Sequence, residues 1–343
     1  MDPLKPADPT DLGGIALRGR LGRGGMGIVY YGVTLDGEPV AVKMIRADLF
    51  EVSEARGRFD REGLAIGMVQ GPRVANLVTT SPPDEAPPWF AVEYVRGLTV
   101  TEYVTEYGPL SADLAAALGI GLTEALTVIH QAGILHRDLK PSNILLGKDG
   151  PKVIDFGLAA LTAAPGELTR TAETIGTPVC MAPEQVNSAK DLTTAADVYS
   201  LGAVLVFALT AHYPYQRPTV PAMLYAIADA ATPPNLAGVP EVLVGPVTAM
   251  LAHAPAARPS LSEVTEAMAG VLAASGQATL FGSADRLRRL AEATYRERPT
   301  DPPPPDPPRA RRPRLPENPS VPSVLVQRVA DQLRRDYGRD APF

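Results

Sequence analysis

The sequence predicts an α+β fold in two lobes, a small β-rich lobe followed by a larger helical lobe, and then a proline-rich tail. Residues 15–42 alternate β-branched and aromatic residues with glycine and turn signals, a pattern typical of strands joined by hairpins. Beyond Gly97, apolar residues recur at helical spacing. The clearest helical stretches are residues 114–131, 195–210, 221–231 and 261–274.

The β-rich lobe is assigned to residues 13–95. A turn signal, Leu35-Asp36-Gly37, separates two of its strands, and residues 89–95 form another strand-like run. Between them, residues 53–69 carry apolar side chains at helical spacing among charged ones. We therefore expect a sheet with one helix packed against it, followed by the helical lobe at residues 96–274.

The tail, residues 275–343, holds many of the chain's 36 prolines. Residues 283–298 predict a charged amphipathic helix, and residues 299–322 a proline-rich linker without regular structure. A last short helix is expected from the capping residue Ser323 to Gly338. Its apolar face would serve a docking partner for the tail or dock weakly on the body of the protein.

Composition narrows the function classes. The net charge of −6 disfavours a nucleic-acid partner, since nucleic-acid-binding domains present basic surfaces. A single cysteine, Cys180, excludes an internal disulfide and leaves no zinc site to propose. The first residues lack a secretory signal, and the longest apolar stretch, residues 201–211, is short for a membrane span. We expect a cytoplasmic protein with no membrane segment.

Three glycines, Gly22, Gly24 and Gly27, occur in the segment LGRGGMGIVY. Without side chains, their backbone amides can approach a polyphosphate closely. An ordinary glycine turn and a dinucleotide-binding fingerprint can have the same glycine spacing. This segment alone therefore does not distinguish a phosphate-binding turn from these two alternatives. The fingerprint opens a helix, however, whereas the residues after Gly27 continue as a strand.

Lys43 ends the strand-like run VAVK, and Glu62 lies nineteen positions later on the predicted helix. A lysine that contacts phosphates needs a carboxylate to hold its flexible side chain in place. Two unrelated surface charges would look the same. The pair therefore indicates a nucleotide site only in combination with other motifs.

The segment HRDLKPSN, residues 136–143, is far more specific because it fixes a carboxylate, a lysine and an amide close together. Asp138 can accept the proton of an attacking hydroxyl, and Lys140 can neutralise developing phosphoryl charge. Asn143 can bind Mg²⁺ through its amide oxygen, and Asp155 of the DFG segment supplies a second hard oxygen ligand.

In their order along the chain, these motifs and the later MAPE segment resemble the bacterial eukaryotic-like (Hanks-type) serine/threonine protein kinases over residues 15–274. The resemblance implies the bilobal protein kinase fold, with 13–95 as N-lobe and 96–274 as C-lobe. It also implies transfer of the γ-phosphate of ATP to serine or threonine hydroxyls of proteins. ATP, Mg²⁺ (alternatively Mn²⁺) and protein substrates would be the ligands and partners.

The resemblance also implies individual roles. Asp138 would be the catalytic base, with Lys140 beside it, and Asn143 and Asp155 would hold the metal. The nucleotide site would consist of Lys43, oriented by Glu62, together with Gly22, Gly24, Gly27, Val29, Ala41, Glu93 and Val95.

Further family roles fall on residues of the C-lobe and the hinge between the lobes. The backbone of Glu93 and Val95 would form hydrogen bonds with adenine. Val92 would be the gatekeeper, a small side chain at the back of the adenine pocket. The family also has an aspartate that anchors the catalytic loop and an ion pair in the C-lobe. The matching residues are Asp197 for the anchor and Arg258 with Glu184 for the pair.

Features around the catalytic segment favour serine and threonine as acceptors. Lys140 and the Gly176-Thr177 pair match serine/threonine members of the family, and tyrosine kinases usually differ at both places. Thr99 and Ser142 stand where arginine-directed members often carry carboxylates. We therefore expect no strong preference for basic substrates.

A threonine cluster lies between Asp155 and the MAPE segment, where the family has its activation loop. We predict autophosphorylation at Thr169 or Thr171, with Arg137 as the cation that pairs with the phosphate. Cys180 replaces a tyrosine that is usual in this region, and we expect a buried, unreactive thiol there.

The sequence admits three rival functions. A pseudokinase scaffold would have lost the lysine, the base or a metal ligand, and all are present here. A small-molecule kinase of related fold normally lacks the long segment between Asp155 and Glu184. The third rival is an interaction module that acts chiefly through the terminal helix.

Overall fold

A computed structural model of the chain describes residues 1–24, 27–46, 53–82, 86–155, 178–187, 192–274 and 283–298. All of them belong to one compact unit, Met1–Pro304. A second unit, Pro305–Phe343, lies outside the described residues, as do the proline-rich linker, the predicted terminal helix and the threonine cluster.

The N-lobe is built on a six-stranded sheet in which every neighbouring pair is antiparallel, in the order β1-β2-β3-β4-β6-β5. The strands are β1 (Asp11–Leu12), β2 (Ile15–Arg23), β3 (Gly27–Val33), β4 (Pro39–Ile45), β5 (Leu77–Thr80) and β6 (Trp89–Glu93). Strong β-formers such as Val40, Val42 and Tyr30 are fully buried, which is what this pleated surface favours.

Both faces of this sheet are covered. Helix α1 (Ser53–Met68) packs on one face, where Phe59 contacts Phe90 with ring centroids 5.1 Å apart. On the other face a separate cluster forms around Tyr30 and Trp89, and Leu4 from the N-terminal segment packs against it. The even alternation along β4 therefore places Lys43 on the α1 face and Val42 on the opposite one.

The C-lobe is helical apart from a three-stranded sheet, β7-β8-β9. Its core helices are α3 and α5, and α5 is buried over almost its whole length. The elements are β7 (Leu98–Thr99), α2 (Val100–Tyr107), α3 (Ala112–Gln131), β8 (Ile144–Gly147), β9 (Gly150–Val153), α4 (Pro183–Asn187), α5 (Thr194–Thr210), α6 (Val220–Ala228), α7 (Glu241–Met250), α8 (Leu261–Leu272) and α9 (Ser283–Thr294). The predicted α+β, two-lobed fold is confirmed.

Of the described helices, α3 alone has the length and hydropathy of a membrane span, and 67% of its apolar window is buried inside the protein. Core helices of globular domains share these properties, so α3 is weak evidence for a membrane segment.

Local departures from the predicted elements have identifiable causes. Helix α6 stops at Ala228 rather than residue 231, because the Asp229 carboxylate accepts bonds from Ala231 N (3.1 Å) and Thr232 Oγ1 (2.6 Å) and closes a turn. Helix α7 was not predicted because Gly245 and Pro246 interrupt its apolar pattern.

Helix α9 forms where the sequence predicts it and packs against α3, β8 and β9. Leu287, Leu290 and Ala291 on one face are buried. Arg298, just beyond the helix, pairs with Glu102 of α2 at 2.7 Å. The three-part division of the chain stays a prediction, but this helix shares the core of the C-lobe.

Candidate active site

Lys43 lies on β4 directly opposite Val29 of β3, and its ammonium group reaches two carboxylates. It bonds Glu62 of α1, and its Nζ lies 3.3 Å from Asp155 Oδ1. Glu62 is only 2% exposed. The structure thus brings together three candidate residues that are separated by up to 112 positions in the sequence.

The charge on Lys43 is secured by this arrangement. Burial alone would lower the pKa of Lys43, but the carboxylates of Asp155 and Glu62 more than offset it and raise that pKa above its usual value. The side chain is therefore a fixed cation between the sheet and the segment that carries Asp155.

The glycine turn joins β2 and β3 at the same end of the sheet. The Gly24 N–H donates to the Gly27 carbonyl at 2.9 Å, and Gly22 lies opposite Val29. A Cβ atom at Gly27 would stand 2.7 Å from the Met44 carbonyl oxygen, so only glycine fits there. Residues 25 and 26 lie outside the described residues.

The HRDLKPSN segment, residues 136–143, places three polar side chains close together. Lys140 Nζ lies 2.6 Å from Asp138 Oδ2. Asn143 ends a 3₁₀ turn. Its Nδ2 donates to the backbone carbonyl of Asp138 at 2.9 Å and lies 3.3 Å from Oδ2 of the Asp138 side chain. The Asn143 backbone carbonyl accepts from Ile154 N at 2.9 Å, which ties this segment to the residue before Asp155.

A buried carboxylate, that of Asp197 at the start of α5, holds the backbone of the HRDLKPSN segment. It accepts the backbone N–H groups of His136 (2.9 Å) and Arg137 (2.8 Å), and His130 Nε2 lies 2.7 Å away. Burial would raise the pKa of Asp197, but the hydrogen bonds from His130 and Arg137 and the nearby histidines lower it overall. The predicted anchor position is thus occupied by an ionised carboxylate.

Arg137 sits between these supports with φ of 65°, in the left-handed region. Gln185 Nε2 donates to its carbonyl at 2.8 Å, and Gln185 Oε1 accepts from Ala182 N at 2.9 Å. Sequence reasoning missed both Gln185 and His130, because neither belongs to a spaced motif. Their partners lie 48 and 67 positions away, and that separation gives no local signal.

Arg258 and Glu184 form the expected ion pair through both guanidinium branches, at 2.6 and 2.8 Å. Arg258 also stacks on the Tyr199 ring, 4.9 Å from its centroid. Nearby, Cys180 is buried as predicted, and burial raises the pKa of its thiol far above the usual value.

The hinge candidates lie where β6 leaves the sheet. Ala41 of β4 faces Val92, the proposed gatekeeper, and the Glu93 carboxylate bonds Lys152 of β9. Among the described residues, no hydrogen bond from the Val95 N–H was found, which leaves that donor for a ligand. Lys152 is a further residue that the sequence did not single out.

The donor set fits a magnesium ion. The NH₂ group of Asn143 donates to Asp138, so its amide oxygen can bind a cation. Asp155 has a second carboxylate oxygen besides the one near Lys43. Among the described residues, no group of three or more His, Cys, Asp or Glu side chains is arranged so that it could hold a metal ion by itself. Mg²⁺ commonly takes one or two protein ligands and completes its shell with phosphates and water.

Comparison with known proteins agrees with this geometry. A protein kinase domain profile matches residues 15–268. The chain is 39% identical to the serine/threonine-protein kinase AfsK of Streptomyces coelicolor over 276 residues, 80% of this chain and 34% of that protein. It is also 39% identical to the probable serine/threonine-protein kinase PkwA of Thermomonospora curvata over 264 residues, 77% of this chain and 35% of that protein.

The chain thus spans about a third of the length of these curated relatives. Among solved structures, the kinase domain of PknI from Mycobacterium tuberculosis superposes with a TM-score of 0.61 at 26% identity. That match covers 78% of this chain and 100% of the PknI domain. The chain belongs to the protein kinase family, and its kinase domain is of the bacterial serine/threonine type.

Proposed function

We propose that this protein transfers the γ-phosphoryl group of ATP to serine and threonine hydroxyls of other proteins, with a divalent metal. The observation that carries the proposal is the Lys43 ammonium held between Glu62 and Asp155. It supports a phosphate-binding cation next to a metal ligand, which phosphoryl transfer requires. A pseudokinase scaffold would not need this arrangement.

Asp138 is proposed as the catalytic base. The acceptor hydroxyl oxygen forms a bond to the γ-phosphorus while the bond from that phosphorus to the bridging oxygen of ADP breaks. The hydroxyl proton passes to the Asp138 carboxylate. Lys140, 2.6 Å from that carboxylate, orients it and adds positive charge where the transferred phosphoryl group carries negative charge.

The glycine turn and Lys43 are proposed to hold the phosphates, and the Val95 backbone the adenine. Asn143 and Asp155 would hold the metal, which we assign as Mg²⁺, with Mn²⁺ as an alternative of the same coordination. When bound, that ion would neutralise negative charge on the phosphates.

The proposed substrate class is supported by the surroundings of Thr99, one of the two positions where arginine-directed kinases often carry a carboxylate. Thr99 caps α2, accepting from Glu102 N at 3.1 Å, and Glu102 in turn pairs with Arg298. This carboxylate is engaged within the chain, which supports acceptors without a strong basic requirement. The physiological substrates are proteins, and a docking partner for the tail remains part of the proposal.

Regulation is proposed on the family resemblance, and a cytoplasmic location on the single cysteine and the composition of the sequence. Thr169 and Thr171 lie outside the described residues, but the backbone of Arg137, the proposed phosphate partner, is bonded at its N–H by Asp197 and at its carbonyl by Gln185. This fixed backbone keeps the residue next to Asp138, which supports capture of a loop phosphate by its side chain. We place the protein in the cytoplasm.

Activity assays on purified variants test the proposal. Asp155→Asn and Asp138→Asn should each lower transfer to a generic protein acceptor by about 10²- to 10³-fold or more, the cost of removing one charge-stabilising group. Asp149→Asn, at an exposed position of the β8–β9 turn, is the matched control and should leave the rate unchanged. Near-normal turnover by Asp155→Asn would contradict the metal assignment.

A further inference from the structure

The N-terminal strap, residues 1–12, runs along the free edge of β2. Asp2 and Arg20 exchange two backbone hydrogen bonds of 2.9 and 2.8 Å, and Leu17 N donates to Thr10 O at 2.9 Å. A Cβ atom at Gly19 would stand 2.9 Å from the Asp2 carbonyl oxygen, so glycine allows the backbone of the strap to approach this closely. The strap is thus bonded to the strand that leads into the glycine turn.

One carboxylate joins the strap to both strands of the glycine hairpin. Asp8 accepts from Arg20 Nε at 2.6 Å, from Arg20 Nη2, from the Tyr30 hydroxyl at 2.9 Å and from Lys5 N at 2.7 Å. Its side chain is 3% exposed. Because Arg20 on β2 and Tyr30 on β3 lie directly opposite each other, Asp8 cross-links the two strands.

The charge states in this cluster are fixed over the pH range in which enzymes work. The hydrogen bonds from Arg20 hold the pKa of Asp8 at about 2. Burial and the bond to Asp8 raise the pKa of Tyr30 to about 12. An ionised acceptor therefore faces a permanent cation and a protonated phenol, which gives short, charge-assisted bonds.

The cross-link lies at the base of the glycine turn. Gly22 follows Arg20 by two positions on β2, and Gly27 precedes Tyr30 by three on β3. The pairing of β2 with β3 is irregular between Arg20 and Gly22, so the regular ladder is interrupted where the turn begins. Beyond Arg20 the edge of β2 that faces away from β3 pairs with no strand among the described residues, so β2 is held there by β3 alone.

We propose that Asp8 is a positioning residue for ATP, which acts through Arg20 and Tyr30 to hold the glycine turn against the nucleotide phosphates. The inference rests on the proposed assignment of Gly22, Gly24 and Gly27 to phosphate binding. It extends the nucleotide site to a strap that lies outside the span matched by the kinase profile, residues 15–268.

The test compares Asp8→Asn with wild type in the full chain, at a temperature where both are folded. Calorimetry would measure binding of a non-hydrolysable ATP analogue and of adenosine, which has no phosphates. We expect the analogue to bind about 3- to 10-fold more weakly, as for one weakened charge-assisted interaction, and adenosine to bind as before. KM for ATP should rise by the same factor while kcat stays within about twofold.

Two controls make the outcome decisive. Asp11→Asn, on the same strap, should change neither ligand. Lys43→Met should weaken binding of the ATP analogue and leave binding of adenosine unchanged. If Lys43→Met does not weaken binding of the analogue, the proposed phosphate site is wrong, independently of Asp8. Equal weakening of both ligands by Asp8→Asn, or no weakening of either, overturns the inference. If Asp8→Asn fails to fold, Tyr30→Phe removes one bond and should give the same split to a smaller degree.

Discussion

Arg258 offers the sharpest stability prediction because all five of its N–H groups are bonded. Two bonds go to Glu184, at 2.6 and 2.8 Å, and three go to the carbonyls of Ala252 (2.7 Å), Ala195 (2.8 Å) and His253 (3.0 Å). Its side chain is 0% exposed. Arg258→Met keeps much of the volume and removes every bond.

The cost follows from what the substitution leaves behind. A largely buried Glu184 carboxylate would lose its cation, and breaking a buried pair in this way costs about 3–5 kcal/mol. Domains are stable by about 5–15 kcal/mol in total. Arg258→Met should therefore remove about a fifth or more of the free energy of unfolding.

Urea unfolding followed by circular dichroism measures this loss. The matched control is Arg288→Met on α9, whose side chain is 61% exposed and lies 3.0 Å from Glu292. That variant should change stability by no more than about 0.5 kcal/mol. Glu184→Gln added to Arg258→Met should recover part of the loss, since no unpaired charge remains. A loss below about 1 kcal/mol for Arg258→Met would refute the reasoning.

Other predictions concern the tail, the loop and the thiol. Leu290→Ala on α9 should cost about 2–5 kcal/mol in urea unfolding, because its side chain is fully buried. A chain ending at Arg298 should retain transfer to a generic acceptor; loss of ATP binding would show that the later residues are structural. Mass spectrometry after incubation with Mg-ATP should find phosphate on Thr169 or Thr171, absent in an inactive variant, and replacing both by alanine should lower activity several-fold. Cys180 should resist iodoacetamide at pH 8 in the folded protein and react once unfolded, because its raised pKa leaves little thiolate.

The proposed catalytic residues are easier to identify from the sequence than the residues that support them. Asp138, Lys140 and Asn143 occur in one short segment, so their chemistry can be read directly from the chain. The buried support comes from remote residues such as Asp197, and the partners of a hydrogen bond that spans about 60 positions leave no periodic or local pattern. Motif knowledge supplied Asp197, but nothing indicated His130.

The same difference applies to the fold. Hydrophobic periodicity predicted the long helices, because burial of one face imposes it. In the sequence the N-terminal strap is only a polar stretch with prolines, and nothing in it predicts the backbone bonds and the single carboxylate that tie it to β2. Such contacts depend on the position of the whole sheet and not on local composition.

The backbone at Asp155 has a further consequence for how this domain could change over evolutionary time. Its φ of 53° lies in the region that aspartate and asparagine tolerate better than other residues with side chains. Asparagine can therefore replace it without new backbone strain, while valine or isoleucine cannot. At this position the proposed metal-binding role and the backbone conformation can be changed separately. A single exchange of aspartate for asparagine would therefore remove the proposed metal ligand and leave a folded domain with its nucleotide site. The reverse exchange could restore catalysis just as readily.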